Sequence, residues 1–185
     1  HFGLLSCGAS VALIKTAKEK GLPVTCDVAM HQLHLTDHLI DGFNTLAHVR
    51  PPLRSEQDKH MLRQGLKDGV IDAICTHHEP LSGSAKLAPF AETLPGISAF
   101  DTYVSFGVQL VREGLFEPLE WVDKVTVSAA KVSNMLERWK TESGWVLIDP
   151  QLEWVVAKDT ILSQGKNTPL LGQTLIGKTE RVFVV

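Results

Sequence analysis

Along the first part of the chain, segments with apolar residues at helical spacing alternate with segments at strand spacing. The segment from Gly8 to Lys20 has apolar residues three apart on one face and stops at Gly21, so it predicts a helix. Val24–Val28 is typical of a short strand. A polar, irregular stretch from His31 to Val49 follows, and it predicts neither kind of element.

The same order of elements returns after two consecutive prolines. Ser55, with Asp58 three residues later, resembles a capping box and predicts a helix over Glu56–Lys67. The predicted inner face of this helix consists of Met61, Leu62 and Leu66. Gly69 ends the helix, and Val70–Cys75 is the next predicted strand.

The second half of the chain begins with helical spacing and then changes to alternation. We predict helices over Ala99–Glu113, over Pro118–Lys124 and from Ser128 to about Trp139. The strands that the alternation predicts are Trp145–Ile148, Glu153–Val156 and Arg181–Val184. Turn residues separate these strands, which indicates antiparallel pairing.

The fold class indicated by this order is α/β. Strands that alternate with helices pair in parallel with helices outside them, as in a (β/α)8 barrel or an open sheet. A closed barrel of this kind needs eight strands and roughly 250 residues. This chain has 185 residues and about three strands before its β-rich end. We therefore expect either a fragment or a chain that folds with a further segment.

Composition and charge narrow the class of protein. Apolar residues make up 44% of the chain and charged residues 21%, as in a globular domain. A formal charge of −3 argues against nucleic acid as a partner. No apolar run approaches the roughly 20 residues that span a bilayer, so no membrane association is expected.

Cysteine usage and the first residues bear on the cellular compartment. Cys7, Cys26 and Cys75 are odd in number and lack metal-finger or CxxC spacing, which favours reduced thiols. No signal peptide is expected from the given sequence, which begins with His1 rather than Met. The expected location is the cytoplasm.

The segment Ile74–Leu81 is the main candidate for chemistry. It reads Ile-Cys-Thr-His-His-Glu-Pro-Leu and follows a short apolar run, as a loop follows a buried strand. His77 and His78 would then lie at the carboxyl end of that strand, where barrels carry their sites. They are the metal-ligand candidates, and the alternative is that His78 makes a structural hydrogen bond while His77 fills space.

Six blocks of sequence, in order and at sensible spacing, resemble the longer proteobacterial type of dihydroorotase, in the amidohydrolase superfamily. These blocks are His1–Ser6, Val24–Val28 with His31, Pro51–Ser55, Ala85–Phe90, Pro95–Ile97, and Gly165–Pro169 followed by Leu171–Gly172. The resemblance covers nearly the whole chain. It implies that residues 1–140 form the last strands and helices of a (β/α)8 barrel. Residues 141–185 would belong to a small β-domain.

The resemblance also implies what the catalytic residues should be. In the family, a metal-bound hydroxide attacks a ring carbonyl of dihydroorotate, and an Asp after the last strand transfers the proton. That Asp falls on His77, in a segment that the family writes Thr-Asp-His-Ala-Pro-His. A metal-ligand His falls on Leu4, which has no lone pair to donate. Neither catalytic position is therefore intact.

The substrate-binding positions also differ from the residues that the family carries. The family's Asn falls on Arg50 and its second substrate-binding His falls on Leu81. Pro95 and Gly96, whose counterparts offer backbone contacts, are retained. Backbone contacts tolerate almost any substitution, so their retention says little about activity.

The leading hypothesis from these departures is a catalytically inactive dihydroorotase-like protein of pyrimidine biosynthesis. The resemblance implies a scaffold subunit for the catalytic subunit of aspartate carbamoyltransferase, in a homo- or hetero-oligomer, with no cofactor. A second hypothesis is an active dihydroorotase or related cyclic amidohydrolase that holds zinc in a rearranged site using His77. A third is a small-molecule sensor in which Arg50 attracts an anion.

Several other residues have both a functional and a purely structural interpretation. His31, His34 and His38 have intervals that could bring imidazoles together on a helix, although the local sequence is loop-like. Trp145 and Trp154 are predicted core or interface anchors. Lys86 and Arg54 are predicted to be solvated or to bridge loops, Arg54 through bidentate bonds.

Overall fold

A computed structural model describes residues 1–141 and 144–184. Its helices are α1 (Gly8–Glu19), α2 (Glu56–Lys67), α3 (Tyr103–Arg112), α4 (Pro118–Val125), α5 (Val127–Val132) and α6 (Leu136–Thr141). Its strands are β1 (Asp27–Ala29), β2 (Ala73–Cys75), β3 (Trp145–Val155) and β4 (Thr174–Phe183). The class is mixed α/β, as the sequence predicts.

The first sheet is parallel. Asp27 of β1 pairs with Ala73 of β2, and Phe2 bridges in parallel to Cys26 on the other side. The helices α1 and α2 connect successive members of this sheet. Val28 and Ile74, which pair with each other, are buried, and this burial stabilises the parallel pairing.

The helix α2 matches its prediction at both ends. Ser55 Oγ accepts a hydrogen bond from the Asp58 N–H at 3.2 Å, which satisfies a free donor of the first turn. Leu62 and Leu66 are buried, but Met61 is 38% exposed and lies against Gly8 of α1. The prediction of a buried inner face is thus wrong for Met61, whose side chain lies at the edge of the contact between α1 and α2.

Two predicted helices have different bounds. The helix expected from Ala99 begins instead at Tyr103, and the N–H groups of Ala99 and Phe100 before it donate to the His78 side chain. The helix expected from Ser128 to Trp139 is instead the two short helices α5 and α6. Asn134 between them has φ +56, a left-handed conformation that ends α5.

The β-rich end forms one hairpin of two long strands. The predicted strands Trp145–Ile148 and Glu153–Val156 are parts of a single strand, β3, whose pairing with β4 shifts register between Asp149 and Glu153. An irregularity of this kind interrupts the alternation, so the sequence suggests two strands where there is one. Residues 142, 143 and 185 of the predicted β-domain lie outside the described residues.

The hairpin packs against α3. The indole N–H of Trp154 donates to Ser105 Oγ at 3.0 Å, and Gly177 lies so close to Val108 that an added Cβ would stand 2.7 Å from it. Trp154 is 8% exposed, in agreement with a core role, whereas Trp145 is 71% exposed. Within the described ranges, none of the helices has the length and apolarity that a bilayer crossing requires.

Candidate functional site at the strand ends

Three loops meet where the parallel strands end. They are Gly3–Ser6 after the Phe2 bridge, Met30–Leu33 after β1 and Thr76–Leu81 after β2. Because parallel strands end at the same edge of a sheet, these loops bring Leu4, His31 and His77 to one side of the molecule. This is the edge at which the sequence predicts a site.

Leu4 is held by its backbone. Its N–H donates to Asp27 Oδ1 at 2.8 Å, and its φ is +60, an uncommon conformation for a residue with a side chain. The same carboxylate lies 2.8 Å from His1 Nε2 through Oδ2 and 3.4 Å from Cys75 Sγ through Oδ1. The carboxylate next to Leu4 is therefore already bonded to protein groups.

His77 lies in a strained loop and packs on a second imidazole. Its φ is +45, its side chain is 11% exposed, and its ring centroid is 5.5 Å from that of His31. His77 Nε2 is 3.6 Å from Glu79 Oε1. Among the described residues, neither His77 Nδ1 nor either ring nitrogen of His31 has a hydrogen-bond partner.

The surroundings of His31 favour its neutral ring. Burial, followed by the proximity of His77, lowers the pKa of His31 to about 3. A neutral imidazole carries one N–H donor and one acceptor, and burial without partners is unfavourable for both. The site thus contains histidine where the resemblance expects an acid.

The other predicted histidines have mainly structural positions. His78 Nδ1 accepts hydrogen bonds from the N–H groups of Ala99 and Phe100, both at 3.1 Å, so it fixes the entry to α3. His34 stacks on Phe106 with ring centroids 4.2 Å apart, and His38 is exposed. His31, His34 and His38 occupy successive 3-10 turns and irregular backbone rather than one helix.

We call Glu79–Leu81 and Pro95–Gly96 the mouth loops. Leu81 is half-buried, and its N–H donates to Asn167 Oδ1 at 2.7 Å. Gly96 has φ +142, a conformation that favours glycine, and its N–H donates to the His48 carbonyl at 2.9 Å. The retained Pro95 and Gly96 therefore belong to a fixed backbone frame.

Two cationic side chains near the mouth loops differ in their surroundings. Lys86 is buried, and its Nζ donates to the carbonyls of His48 at 3.0 Å and Leu94 at 2.8 Å. Burial lowers the pKa of this amine. Arg50 is exposed; burial lowers the pKa of His48, with smaller effects from Lys86 and then Arg50. Of the two interpretations of Lys86, loop bridging is the one that the contacts bear out.

Arg54 does not make the bidentate bonds that the sequence suggests. Its side chain is exposed, and across the described parts of the chain no carboxylate pairs with it. Its backbone carbonyl instead accepts the Asp37 N–H at 3.0 Å. The backbone, rather than the guanidinium, ties this loop.

Sequence reasoning misses two residues that organise this edge. Asp27 is quoted above only as part of a strand, yet its carboxylate joins Leu4, His1 and Cys75. Asn167 is quoted only within a framework block, yet its side chain bonds both mouth loops. A polar residue inside an otherwise apolar strand was the available signal for Asp27.

The described part of the chain does not by itself supply the donor set of the zinc centre that the family carries. Within residues 1–141 and 144–184, no group of three or more His, Cys, Asp or Glu side chains could hold a metal ion. Leu4 offers hydrocarbon, and the nearest carboxylate, Asp27, is occupied by protein donors. A structural or catalytic zinc site requires three or four protein ligands.

Known proteins with similar sequences are dihydroorotases and dihydroorotase-like proteins. A "Dihydroorotase-like protein" of Pseudomonas aeruginosa is 38% identical over 188 residues, which covers 100% of this chain and 44% of that protein. A "Dihydroorotase" of Syntrophus aciditrophicus is 38% identical over 187 residues, with the same coverage of 100% and 44%. The chain thus spans less than half the length of these curated relatives. No protein-family model matches it.

Solved structures with the same fold are hydantoinases and a dihydroorotase-like domain. A D-hydantoinase from Thermus sp. superposes with a TM-score of 0.88 at 23% identity, covering 98% of this chain and 42% of the other. An inactive dihydroorotase-like domain of a Chaetomium thermophilum CAD-like multifunctional protein has a TM-score of 0.72 at 20% identity, covering 98% and 48%.

The parallel strands, with candidate residues at their carboxyl ends, have the fold of these hydantoinases and of the dihydroorotase-like domain. The sequence similarity over the whole chain is to dihydroorotases and dihydroorotase-like proteins.

Proposed function

We propose that this chain is part of a dihydroorotase-like protein of pyrimidine biosynthesis that has lost catalysis and serves as a scaffold subunit. The observation that carries the proposal is Leu4. The family's metal-binding imidazole is there replaced by a hydrocarbon, whose backbone N–H is bonded to Asp27. Loss of one metal ligand or of the general base commonly reduces the rate by several orders of magnitude.

The residues at the other catalytic position support the same conclusion. His77 stands at the family's Asp position, packed on His31 at 5.5 Å. Both side chains are imidazole rings, so the attraction that a carboxylate exerts on a cation is missing. The solved dihydroorotase-like domain from Chaetomium thermophilum is itself described as inactive, which is a precedent within this fold.

We further propose that the parallel strands are the last three of a (β/α)8 barrel. In the described residues β2 pairs only with β1, so its outer edge is available for another strand. A cavity of about 840 Å³ lies along this strand. Its lining includes Ala73–Cys75 of β2, Ala129 and Val132 of α5, Trp139 of α6, and Met135 between these two helices. Such an edge suits another parallel strand, which a protein of the relatives' length would supply.

The proposed partner is the catalytic subunit of aspartate carbamoyltransferase, inferred from the family. The test is co-purification of the full-length protein with that subunit from cells that produce both at native levels. A stoichiometric complex supports the scaffold role. Separate elution, with the full-length protein folded, contradicts it and favours a sensor, which has no need of that partner.

One observation favours a second candidate, an active enzyme with a rearranged site. His77 Nε2 lies 3.6 Å from Glu79 Oε1, and a carboxylate at one ring nitrogen leaves the other free to bind a metal or a proton. Assay of the zinc-supplemented full-length protein for dihydroorotate formation and hydrolysis separates the two. Activity that His77→Gln abolishes would establish the second candidate, and a silent protein supports the first.

A further inference from the structure

Asn167 lies in the connection between β3 and β4, far in sequence from the mouth loops that it contacts. Its Oδ1 accepts the Leu81 N–H at 2.7 Å, while its Nδ2 donates to the carbonyls of Glu79 at 3.0 Å and Gly96 at 3.1 Å. Its backbone carbonyl accepts the Ser98 N–H at 3.0 Å. Both amide hydrogens and the amide oxygen are used, and the residue is 3% exposed.

The rest of the connection is fitted closely to the same loops. A Cβ added at Gly165 would stand 2.5 Å from the Leu81 nitrogen, so the two backbones are in contact. Thr168 and Leu170 are buried. The connection also has a second anchor, since Asp101 accepts the Leu162 N–H at 2.7 Å and the Ser163 hydroxyl.

The hairpin beyond the connection is itself anchored to α3. Trp154 Nε1 donates to Ser105 Oγ, and Ser105 Oγ donates to the Gly177 carbonyl at 2.5 Å. Hydrogen bonds thus join the mouth loops to the connection through Asn167, and others join the hairpin to α3 through Trp154 and Ser105. A segment held in this way opens as a unit rather than residue by residue.

We infer that Asn167 is a conformational strap that joins the mouth loops to the β3–β4 connection, so that the two segments open and close together. The loops cannot leave their position without breaking three side-chain hydrogen bonds in a site closed to water. Conversely, displacement of the connection removes the partners of Leu81 and Gly96. The inference concerns the backbone frame and does not depend on catalysis.

The test is hydrogen exchange of the full-length protein, followed by mass spectrometry, for Asn167→Leu and Asn167→Asp. Asn167→Leu, similar in size, removes all three side-chain bonds. Exchange should rise about tenfold or more in residues 79–98 and in residues 160–172 together, while α1 and α2 stay unchanged. Asn167→Asp keeps the acceptor for Leu81 and should leave the Leu81 amide better protected than in Asn167→Leu.

Asn44→Ala is the matched control, because the Asn44 side chain accepts only from the nearby Leu46 N–H. Its effect should stay within the 3-10 turn Thr45–Ala47. The inference would be overturned if exchange became faster in the mouth loops alone or in the connection alone. It would also be overturned if exchange changed in neither segment, or rose equally throughout the protein. Should Asn167→Leu not fold, the Asn167→Asp pattern decides by the same criteria.

Discussion

The imidazole rings of His31 and His77 stack with centroids 5.5 Å apart and planes inclined by 24°. His31 is 1% exposed, and burial keeps its pKa near 3. The family's acid at residue 77 would place a negative charge at this point. In this chain two imidazole rings occupy it, so the site loses the negative charge of the acid as well as its carboxylate ligand.

Restoring the family's donors should restore cation binding if the remaining ligands are present in the full-length protein. Leu4→His with His77→Asp adds one nitrogen donor and a carboxylate, both preferred by zinc. We expect zinc affinity to increase about tenfold or more, measured by titration calorimetry. Leu13→His with His60→Asp is the matched control, since Leu13 is 73% exposed and His60 is also exposed. Equal affinities in the two double variants would contradict the assignment of Leu4 and His77.

The two tryptophans of β3 should differ in their contribution to stability. Trp154→Ala removes a buried ring and leaves Ser105 without its indole donor, so the free energy of unfolding should fall by about 3–5 kcal/mol. Trp145→Ala should change it by no more than about 0.5 kcal/mol, because Trp145 is 71% exposed. Urea unfolding measures both values. Similar losses would indicate that Trp145 is covered in the full-length protein.

Stability should decline in acid because two imidazoles fold in the neutral form. Burial lowers the pKa of His34 to about 3, with smaller effects from Arg63 and Lys59, and the pKa of His31 to a similar value. The unfolded state takes up protons near pH 6.5, so stability is complete above that pH and falls towards pH 3. Each group contributes up to about 1.4 kcal/mol per pH unit.

His34→Phe tests this pH dependence directly. A phenyl ring can keep the stack on Phe106, whose ring lies 4.2 Å away, while removing one titrating group. Urea unfolding between pH 4 and 7 should give a shallower pH slope for this variant. His60→Gln, at an exposed position, should keep the slope of the parent protein. A slope unchanged by His34→Phe would show that His34 is accessible to protons in the folded state.

Lys86 should contribute more to the free energy of unfolding than an ordinary surface lysine does. Lys86→Met leaves the Leu94 carbonyl without its donor and removes one of two donors to the His48 carbonyl. The expected loss is about 1–3 kcal/mol in the free energy of unfolding. Lys20→Met, at an exposed helix end, should change it by less than about 0.5 kcal/mol. Equal effects would show that the Lys86 bonds do not persist in solution.

Local chemistry explains why some elements could be predicted from the sequence. The cap of α2 is a contact between Ser55 and Asp58 within one turn, so its signal is local. The division between α5 and α6 depends on Asn134 adopting φ +56, which the apolar spacing does not reveal. The strands Trp145–Ile148 and Glu153–Val156 are joined by an irregular register that only the pairing with β4 defines.

The candidate site also contains residues that the sequence could indicate and residues that it could not. Leu4 and His77 could be identified because the resemblance supplies the position, and their loops do lie at the ends of the parallel strands. The roles of Asp27 and Asn167 depend on contacts between residues 23 to 88 positions apart. Such contacts have no periodicity, so the sequence pattern alone could not indicate them.

The central claim is that this site lacks the donors needed for hydrolysis of the dihydroorotate ring. The direct measurement is the rate of dihydroorotate formation and hydrolysis by the full-length protein with added zinc, beside the Syntrophus aciditrophicus dihydroorotase relative. We predict a rate at least about 10⁴-fold below that of the relative, since both a metal ligand and the proton-transfer residue are replaced. A rate within about tenfold of the relative, with folded protein and no contaminating enzyme, would contradict the account.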